Sequence, residues 1–203
     1  TYNYATYTDS CLSTPPAGPV FEDPCFAWMH GDVQKEITTT WVGMVGPGVR
    51  NLGEFNAVWS DHTDVRPTIL ALAGLTDDYV HDGRVVAEWL HGSALPDGIR
   101  DRQENFTELA RVYKQLNAPL GQVGRSSLVW ANRSVNADDK TYAAYLKRIG
   151  DITEDRNELA GRIRTVLDNA AFHNKPVGEG AEDGLGERAR ALIDTVKDLA
   201  DRN

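Results

Sequence analysis

The sequence lacks several features that would assign a protein to a class at once. It has no run of about 18 apolar residues, so we predict no membrane-spanning helix. A glycine-rich phosphate loop, a CxxC pair and a GxSxG nucleophile motif are also absent. Serine and threonine are frequent, but none stands in a local pattern typical of a nucleophile. The sequence therefore assigns no catalytic nucleophile to this chain.

Basic residues are the minority among the charged ones. The chain has 21 Lys and Arg residues against 30 Asp and Glu residues, a net charge of −9. This balance argues against nucleic acid as a general partner, because binding to phosphate backbones needs a basic surface. It does not exclude a small anionic substrate, since a bound metal ion can reverse the local charge.

Cysteine is scarce, with Cys11 and Cys25 the two examples. They enclose a proline-rich loop, where a disulfide would contribute about 3 kcal/mol. The alternative is two unrelated buried thiols. A disulfide predicts an extracellular or periplasmic location. The chain shows no signal peptide and begins at Thr1 without an initiator Met, so we expect a processed or truncated chain.

Three apolar segments in the first third of the chain favour strands. Residues 26–29 and 55–59 are short, and residues 37–45 are rich in β-branched and aromatic side chains without a charge. The last of these predicts a buried strand that stops at a Gly-Pro-Gly sequence. Residues 1–25 predict an irregular leader with one strand at most.

The remainder of the pattern predicts helices. Thr63 or Asp64 can cap a helix that has Pro67 in its first turn and Gly74 at its end. This helix is apolar nearly all round, so we expect it to be buried. Helical spacing recurs further on, interrupted by a break at 117–124 and a polar loop at 173–186, and the helical segments are 104–116, 138–172 and 187–200. The last two can pair antiparallel, because each has one apolar stripe.

The pair His30 and Asp32 is the first candidate for chemistry. His30 follows an apolar segment and stands beside Gly31, which lets a neighbour approach closely. Imidazole and carboxylate are ordinary ligands of divalent zinc. The alternative is a loop histidine without a ligand.

Two further clusters combine histidine with acidic residues. In the Asp-His-Thr-Asp sequence at 61–64, Asp64 precedes a helix and fits a capping role, whereas His62 is either a substrate-binding residue or a packed one. In the His-Asp-Gly-Arg sequence at 81–84, Asp-Gly is typical of a turn. Arg84 can bind an anion, although a surface ion pair is the simpler interpretation.

Residues 26–90 resemble the C-terminal part of the core of the alkaline phosphatase/sulfatase superfamily. The likeness is an ordered series of short motifs: a His-Gly pair, an apolar run that ends in Gly-Pro-Gly, an Asp-x-x-Pro-Thr helix opening and an Asp-Gly-Arg turn. They fall at residues 30–31, 41–49, 64–68 and 82–84. The chain is most similar to large secreted bacterial phosphodiesterase-like members, which carry a similar helical C-terminal extension.

The resemblance implies an α/β sandwich with a mostly parallel sheet. It also implies a two-metal hydrolase of phosphate or sulfate esters, in which zinc or a similar divalent ion activates a Ser or Thr nucleophile. His30 then matches a metal ligand of the superfamily. Met29 stands where the family has an Asp, so Asp32 would have to replace that ligand.

The superfamily's nucleophile and first metal-binding Asp lie N-terminal to the part that this chain resembles. We therefore expect a C-terminal fragment or subunit that completes a site with the N-terminal portion of the same protein, as a separate or cleaved chain. The predicted division is a stapled leader, a partial hydrolase core and a helical extension, at 1–25, 26–98 and 99–203.

Two alternatives to a hydrolase remain open. One is a non-catalytic structural or interaction subunit that uses the helical hairpin of 138–172 with 187–200. The other is a self-contained secreted domain whose likeness to the superfamily is accidental.

Overall fold

Helices make up most of the described part of the chain, which in this computed structural model comprises residues 38–201 without the side chains of residues 181–183. The chain divides into two units, residues 1–44 and 45–203. The second unit contains seven α-helical segments within its described residues. They are α1 (Val65–Ala73), α2 (Asp97–Arg100), α3 (Gln103–Asn117), α4 (Gln122–Ala137), α5 (Asp139–Phe172), α6 (Glu179–Ala181) and α7 (Glu187–Asp201).

Short helical turns of other kinds fill parts of the connections. Three single 3₁₀ turns lie before α1 and between α1 and α2, and a π-helical turn leads into α7. Their bounds are His62–Asp64, Ala87–Trp89, Gly92–Ala94 and Glu182–Gly186.

The predicted α/β sandwich is wrong. Within residues 38–201 the structure has no strand, and the nearest approach to one is an isolated antiparallel bridge between Val49 and Leu90. Residues 39–45 and 55–59 lie outside any regular element, and Val45 is almost fully exposed. An apolar, β-branched segment becomes a strand only where another strand pairs with its backbone, and the described residues offer no such partner.

The resemblance to the alkaline phosphatase/sulfatase superfamily is overturned with the sheet. A mostly parallel sheet is the framework that the likeness implied, and residues 38–201 are helices and irregular segments instead. The motifs that carried the likeness are short, and those at 64–68 and 82–84 have a local structural use that needs no such sheet.

Helix α1 shows that local use. Asp61 accepts a hydrogen bond from the backbone N–H of Thr63, and Asp64 accepts one from the backbone N–H of Asp61, which together form a capping box. The helix ends at Gly74, which is left-handed with φ of 65°. The end at Gly74 was predicted, whereas the capping side chain at the start is Asp61 and not Thr63 or Asp64. The expectation of burial all round is wrong, because Ile69 is 50% exposed and one face alone is buried.

The core is formed by the faces of four helices. In α3, five side chains at helical spacing are fully buried, as the sequence predicted: Phe106, Leu109, Ala110, Tyr113 and Leu116. This face packs against α5, and α4 packs against both α5 and α7. The apolar stripes of the longer helices therefore meet in one core, where burial of each large side chain is worth about 2 kcal/mol.

Helix α4 was missed. The sequence pattern predicted no helix between the break at 117–124 and residue 138. By contrast, α3, α5 and α7 begin and end within a residue or so of the predicted segments. Asp138 both ends α4 and caps α5, since its side chain accepts a hydrogen bond from the backbone N–H of Thr141 at 2.7 Å. A single residue thus joins two long helices into a hairpin.

Candidate functional site

The two acidic-histidine clusters of the sequence lie against each other in the fold. The backbone N–H of Arg84 donates to Oδ1 of Asp64 at 2.8 Å. A Cβ atom at position 83 would overlap the carbonyl oxygen of Thr63, so only glycine permits this approach. The Asp-Gly-Arg turn is therefore part of the support for the start of α1.

Lys114 of α3 is the cation at the centre of this assembly. Its side chain is 2% exposed, and its Nζ lies 3.0 Å from Oδ1 of Asp64 and 2.9 Å from Oδ1 of Asp61. It also donates to Oγ1 of Thr63 at 2.9 Å. All three donors of the ammonium group thus have an acceptor.

The two carboxyl groups respond differently to this environment. Burial raises the pKa of Asp64 above its ordinary value, and the attraction of Lys114 only partly offsets it. Burial acts in the same direction on Asp61, but hydrogen bonds from Thr63 and Lys114 outweigh it and lower the pKa of Asp61. The difference follows from Asp64 being the more deeply buried of the two.

A second buried ion pair adjoins the first. Arg84 is fully buried and binds Glu88, with Nη1 donating to Oε2 at 2.8 Å and Nη2 donating to Oε1 at 3.3 Å. Arg111 of α3 adds a contact from Nε to Oε1 of Glu88 at 3.0 Å. Burial acts to raise the pKa of Glu88, but the charge of Arg84 and its hydrogen bonds lower it overall. The expected surface ion pair of Arg84 is therefore an ion pair in the interior.

The charged side chains of this buried network pair with one another, as is typical of ion pairs that stabilise a fold. Each buried carboxylate faces a cation or backbone N–H groups, and each buried cation faces a carboxylate. Among residues 38–201, no group of three or more His, Cys, Asp and Glu side chains is placed to hold a metal ion. The zinc-hydrolase character that the resemblance implied has no support in this part of the chain.

The predicted site residues are divided between the described and the other parts of the chain. His30, Asp32, Cys11 and Cys25 lie outside the described residues, so the metal site and the disulfide stay predictions. His62 lies exposed on the 3₁₀ turn before α1, and its substrate-binding role stays a prediction too. The same holds for the extracellular or periplasmic location and for the three predicted domains.

His81 is the centre of a separate group of polar and aromatic side chains. The ring is buried, and its Nε2 lies 3.1 Å from Oδ1 of Asp77. The ring of Phe172 at the end of α5 is 6.0 Å away, centroid to centroid. Nearby, burial raises the pKa of Asp168, and burial raises the pKa of Tyr113 to about 12. This group fastens the loop before Arg84 to α3 and α5.

The outer end of the α4–α5 hairpin carries apolar side chains on the surface, as the segment that contains Leu75, Tyr79 and Val80 also does. We call residues 125–150 the hairpin tip. Residues 139–150 of α5 include no buried residue, and burial in this helix begins at Ile152. Five large apolar side chains of the tip are exposed: Leu128, Val129, Val135, Tyr142 and Leu146. The tip therefore extends beyond the core with an apolar surface.

Aromatic contacts hold the two helices of the tip together. Trp130 of α4 meets Tyr145 of α5 edge to face, with ring centroids 4.8 Å apart, and Tyr142 stacks on Tyr145 at 5.8 Å. Such pairs contribute about 1 kcal/mol each beyond the area they bury. The α4 helix is also tied to α7, because Arg133 donates to the carbonyl oxygen of Ala200. The surface is thus presented on a fixed pair of helices.

The tip also differs in charge from the chain as a whole. It contains five basic residues and two acidic ones, a net charge of +3, whereas the chain carries −9. The basic residues are Arg125, Arg133, Lys140, Lys147 and Arg148. Sequence reasoning missed this surface because the stripe of α5 was assigned to the core along its whole length. The signal that could have found it is the concentration of basic residues between two acidic regions.

Comparison with known proteins gives no relative of this chain: no family model matches it, and neither does a curated protein or a solved structure. None of the described helices is both long enough and apolar enough to cross a membrane, as the sequence predicted.

Proposed function

We propose that this chain is a non-catalytic interaction subunit, and that its hairpin tip binds an acidic amphipathic helix of a partner protein. The observation that carries the proposal is the exposed apolar surface of the tip on a rigid helical hairpin. Proteins that act alone rarely leave a large apolar patch in water, and such a patch with polar neighbours is typical of an interaction site.

The spacing of the exposed residues fits a helix as the ligand. Leu128 and Val135 are seven residues apart and share one face of α4, and Tyr142 and Leu146 are four apart on α5. The two helices fold back on each other at Asp138, since Trp130 and Tyr145 on either side of it are in contact. Two parallel rows of apolar side chains form the kind of surface on which a third helix packs with its own apolar stripe.

The charge of the tip selects the chemistry of the partner. Five basic residues accompany the apolar rows, so an approaching acidic helix is attracted and a basic one is repelled. The same argument disfavours the tip of a second copy of this chain, since two tips of charge +3 repel each other. An acidic amphipathic helix satisfies both the apolar surface and the charge.

This proposal places the working surface on α4 and the first part of α5. The interaction-subunit alternative drawn from the sequence placed it on 138–172 with 187–200, so the two surfaces share only the α5 part. Hydrolysis of a phosphoric ester, with its predicted zinc and N-terminal partner chain, is not tested by residues 38–201. Its candidate ligands His30 and Asp32 lie outside them.

The experiment measures binding of two designed peptides to the purified chain by fluorescence anisotropy. Both peptides have the same Leu stripe at helical spacing, and their flanking positions are Glu in one and Lys in the other. We expect the Glu peptide to bind at least tenfold more tightly at low salt. Equal affinities, or no binding of the Glu peptide, would contradict the proposal.

A matched pair of variants locates the binding. Leu128→Gln combined with Leu146→Gln removes two apolar side chains from the tip, and we expect affinity for the Glu peptide to fall at least tenfold. Ile69→Gln is the control, because Ile69 is an equally exposed apolar residue on α1, away from the tip. Anionic vesicles serve as the competing surface. Binding to vesicles that depends on Leu128 and Leu146, without binding to the peptide, would replace the protein partner by a lipid surface.

A further inference from the structure

The segment between α1 and the turn at Arg84 is attached to the helices by side-chain contacts. It comprises residues 75–82, which we call the strap, and a glycine stands at each end, Gly74 and Gly83. Within the described part of the chain, no backbone–backbone hydrogen bond involves residues 76–82. Gly74 has a φ of 65°, and a Cβ atom there would meet nothing within 4 Å. The strap can therefore move without breaking a helix or a backbone ladder.

His81 is the buried residue of the strap. Residues 75–80 and Asp82 are exposed, whereas His81 is 6% exposed. Its ring lies 6.0 Å from that of Phe172 at the end of α5 and meets Tyr79 edge to face at 5.6 Å, centroid to centroid. Its Nε2 lies 3.1 Å from Oδ1 of Asp77. The imidazole ring is therefore the group through which the strap packs on α5.

A second carboxyl group near this ring is that of Asp168 on α5. Burial raises the pKa of Asp168, and the charges of His81, Arg164 and His173 act against burial. A protonated imidazole donates from both ring nitrogens and carries a charge that attracts both carboxylates. A neutral imidazole still donates one hydrogen bond, but it offers no charge to a buried carboxylate. Loss of the proton of His81 therefore weakens the contact between the strap and α5.

Two ion pairs connect the strap to its neighbours whatever the state of His81. Arg66 of α1 lies 2.5 Å from Oδ2 of Asp77, and Arg164 of α5 lies 3.3 Å from Oδ1 of Asp82. Arginine stays protonated throughout the range in which proteins are folded. Both pairs are partly or largely exposed, and such pairs contribute little. They limit how far the strap can move, and they do not hold the ring of His81 in place.

The other groups near the strap that can carry a proton are Tyr113 and His173. The hydroxyl group of Tyr113 on α3 donates to the backbone carbonyl of Asp82 at 3.2 Å. Burial raises the pKa of Tyr113 to about 12, so it stays neutral. His173 follows α5 and is exposed, so water solvates its charge. Among these groups, His81 is the buried one whose ordinary chemistry allows a change of charge near neutral pH.

We propose that the strap is a pH-sensitive device, which protonation of His81 fastens to the end of α5 and loss of that proton releases. Histidine changes its charge between about pH 5 and pH 8, so the strap is fastened at the acid end of this range and released at the alkaline end. On release the ring of His81 leaves Phe172, which then meets water. The strap shares no residue with the hairpin tip, so failure of either proposal leaves the other unaffected.

The experiment measures solvent access to the ring of Phe172 by hydroxyl-radical footprinting of the full chain at about pH 5.5 and about pH 8. We expect Phe172 to be oxidised at least threefold faster at the higher pH. Phe106, fully buried in α3, should stay protected at both pH values, which separates release of the strap from unfolding. Equal rates for Phe172 at the two pH values, or loss of protection of Phe106, would overturn the proposal.

A matched pair of histidine variants assigns the effect to one ring. His81→Gln keeps a side chain that forms hydrogen bonds but cannot gain a proton in this range, so the oxidation of Phe172 should lose its pH dependence. His173→Gln changes the exposed histidine beside Asp168, and it should keep the threefold difference of the parent chain. A pH dependence that survives in His81→Gln, or that disappears in His173→Gln, would refute the role of His81.

Asp168→Asn tests the same device through a gain of protection, which a misfolded variant cannot produce. The amide carries no charge, so the end of α5 no longer needs a cation from the strap at alkaline pH. We expect Phe172 to be oxidised at least twofold more slowly in this variant than in the parent chain at about pH 8. Oxidation at the rate of the parent chain, or faster, would contradict the coupling of His81 to Asp168.

Discussion

The Nζ atom of Lys114 lies 3.0 Å from Oδ1 of Asp64, and neither side chain is accessible to solvent to any useful extent. Asp64 begins α1 and Lys114 is near the end of α3, so this ion pair joins the irregular first part of the unit to the helical core. A buried pair of this kind adds little net stability by itself, because both charges had to leave water. Removing either charged side chain alone is destabilising, because it leaves the other charge buried without a partner.

Lys114→Met is therefore expected to destabilise the chain by about 3–5 kcal/mol. Methionine has a similar length, but it leaves the carboxylate of Asp64 buried without its cation. The double variant Asp64→Asn with Lys114→Met removes both charges and should recover part of that loss. Urea unfolding followed by circular dichroism measures the three free energies. A loss in the double variant that equals or exceeds the sum of the losses in Asp64→Asn and Lys114→Met would contradict the coupling between the two side chains.

Glu88 should make stability depend on pH in the acid range. Its pKa in the folded chain is below the ordinary value of 4.5, mainly because of Arg84, so folding favours the charged form. The stability that it contributes is present above pH 4.5 and is lost as pH falls through the folded pKa. The difference in unfolding free energy between the parent chain and Glu88→Gln should therefore shrink as pH falls below 4.5. A difference that is constant from pH 7 to pH 3 would contradict this.

Asp168 should show the opposite dependence. Burial raises its pKa above the ordinary value of 3.8, so folding favours the protonated form. Its contribution is then present below pH 3.8 and is lost as pH rises through the folded pKa. Relative to Asp168→Asn, the parent chain should become less stable as pH rises from 3 to 7. Thermal unfolding at several pH values measures this, and a slope of the same sign as that of Glu88 would refute it.

The helices could be predicted from the sequence because their apolar spacing and their end signals lie within the helical segment itself. The spacing of Phe106, Leu109 and Tyr113 determines a buried face regardless of what covers it, and Pro67 and Gly74 act within their own turns. A strand is different, because its hydrogen bonds go to another segment. The pattern of residues 37–45 could not say whether such a segment exists.

The candidate surfaces could not be predicted, because the sequence pattern does not show which part of an apolar stripe is covered by a neighbouring helix. Leu146 and Leu167 both belong to the apolar stripe of α5, yet the first is 51% exposed and the second is buried. What distinguishes them is the length of the neighbouring helices. Lys114 was missed for a related reason: it stands four residues after the buried Ala110, and this position predicts burial, but its carboxylate partners come from residues about fifty positions earlier in the chain.

Two glycines of the chain should respond in opposite ways to the same substitution. At Gly83 a Cβ atom would overlap backbone atoms of Thr63, which cannot move away without displacing the capping box of the 3₁₀ turn before α1. Gly83→Ala is therefore expected to destabilise the chain by about 1–3 kcal/mol.

At Gly161, within α5, a Cβ atom would meet nothing within 4 Å. Gly161→Ala should stabilise the chain by about 0.5–1 kcal/mol, because alanine favours the helix and restricts the unfolded chain. Urea midpoints of the two variants measure both effects. Equal shifts in the same direction would contradict the close approach of the Asp-Gly-Arg turn to Thr63.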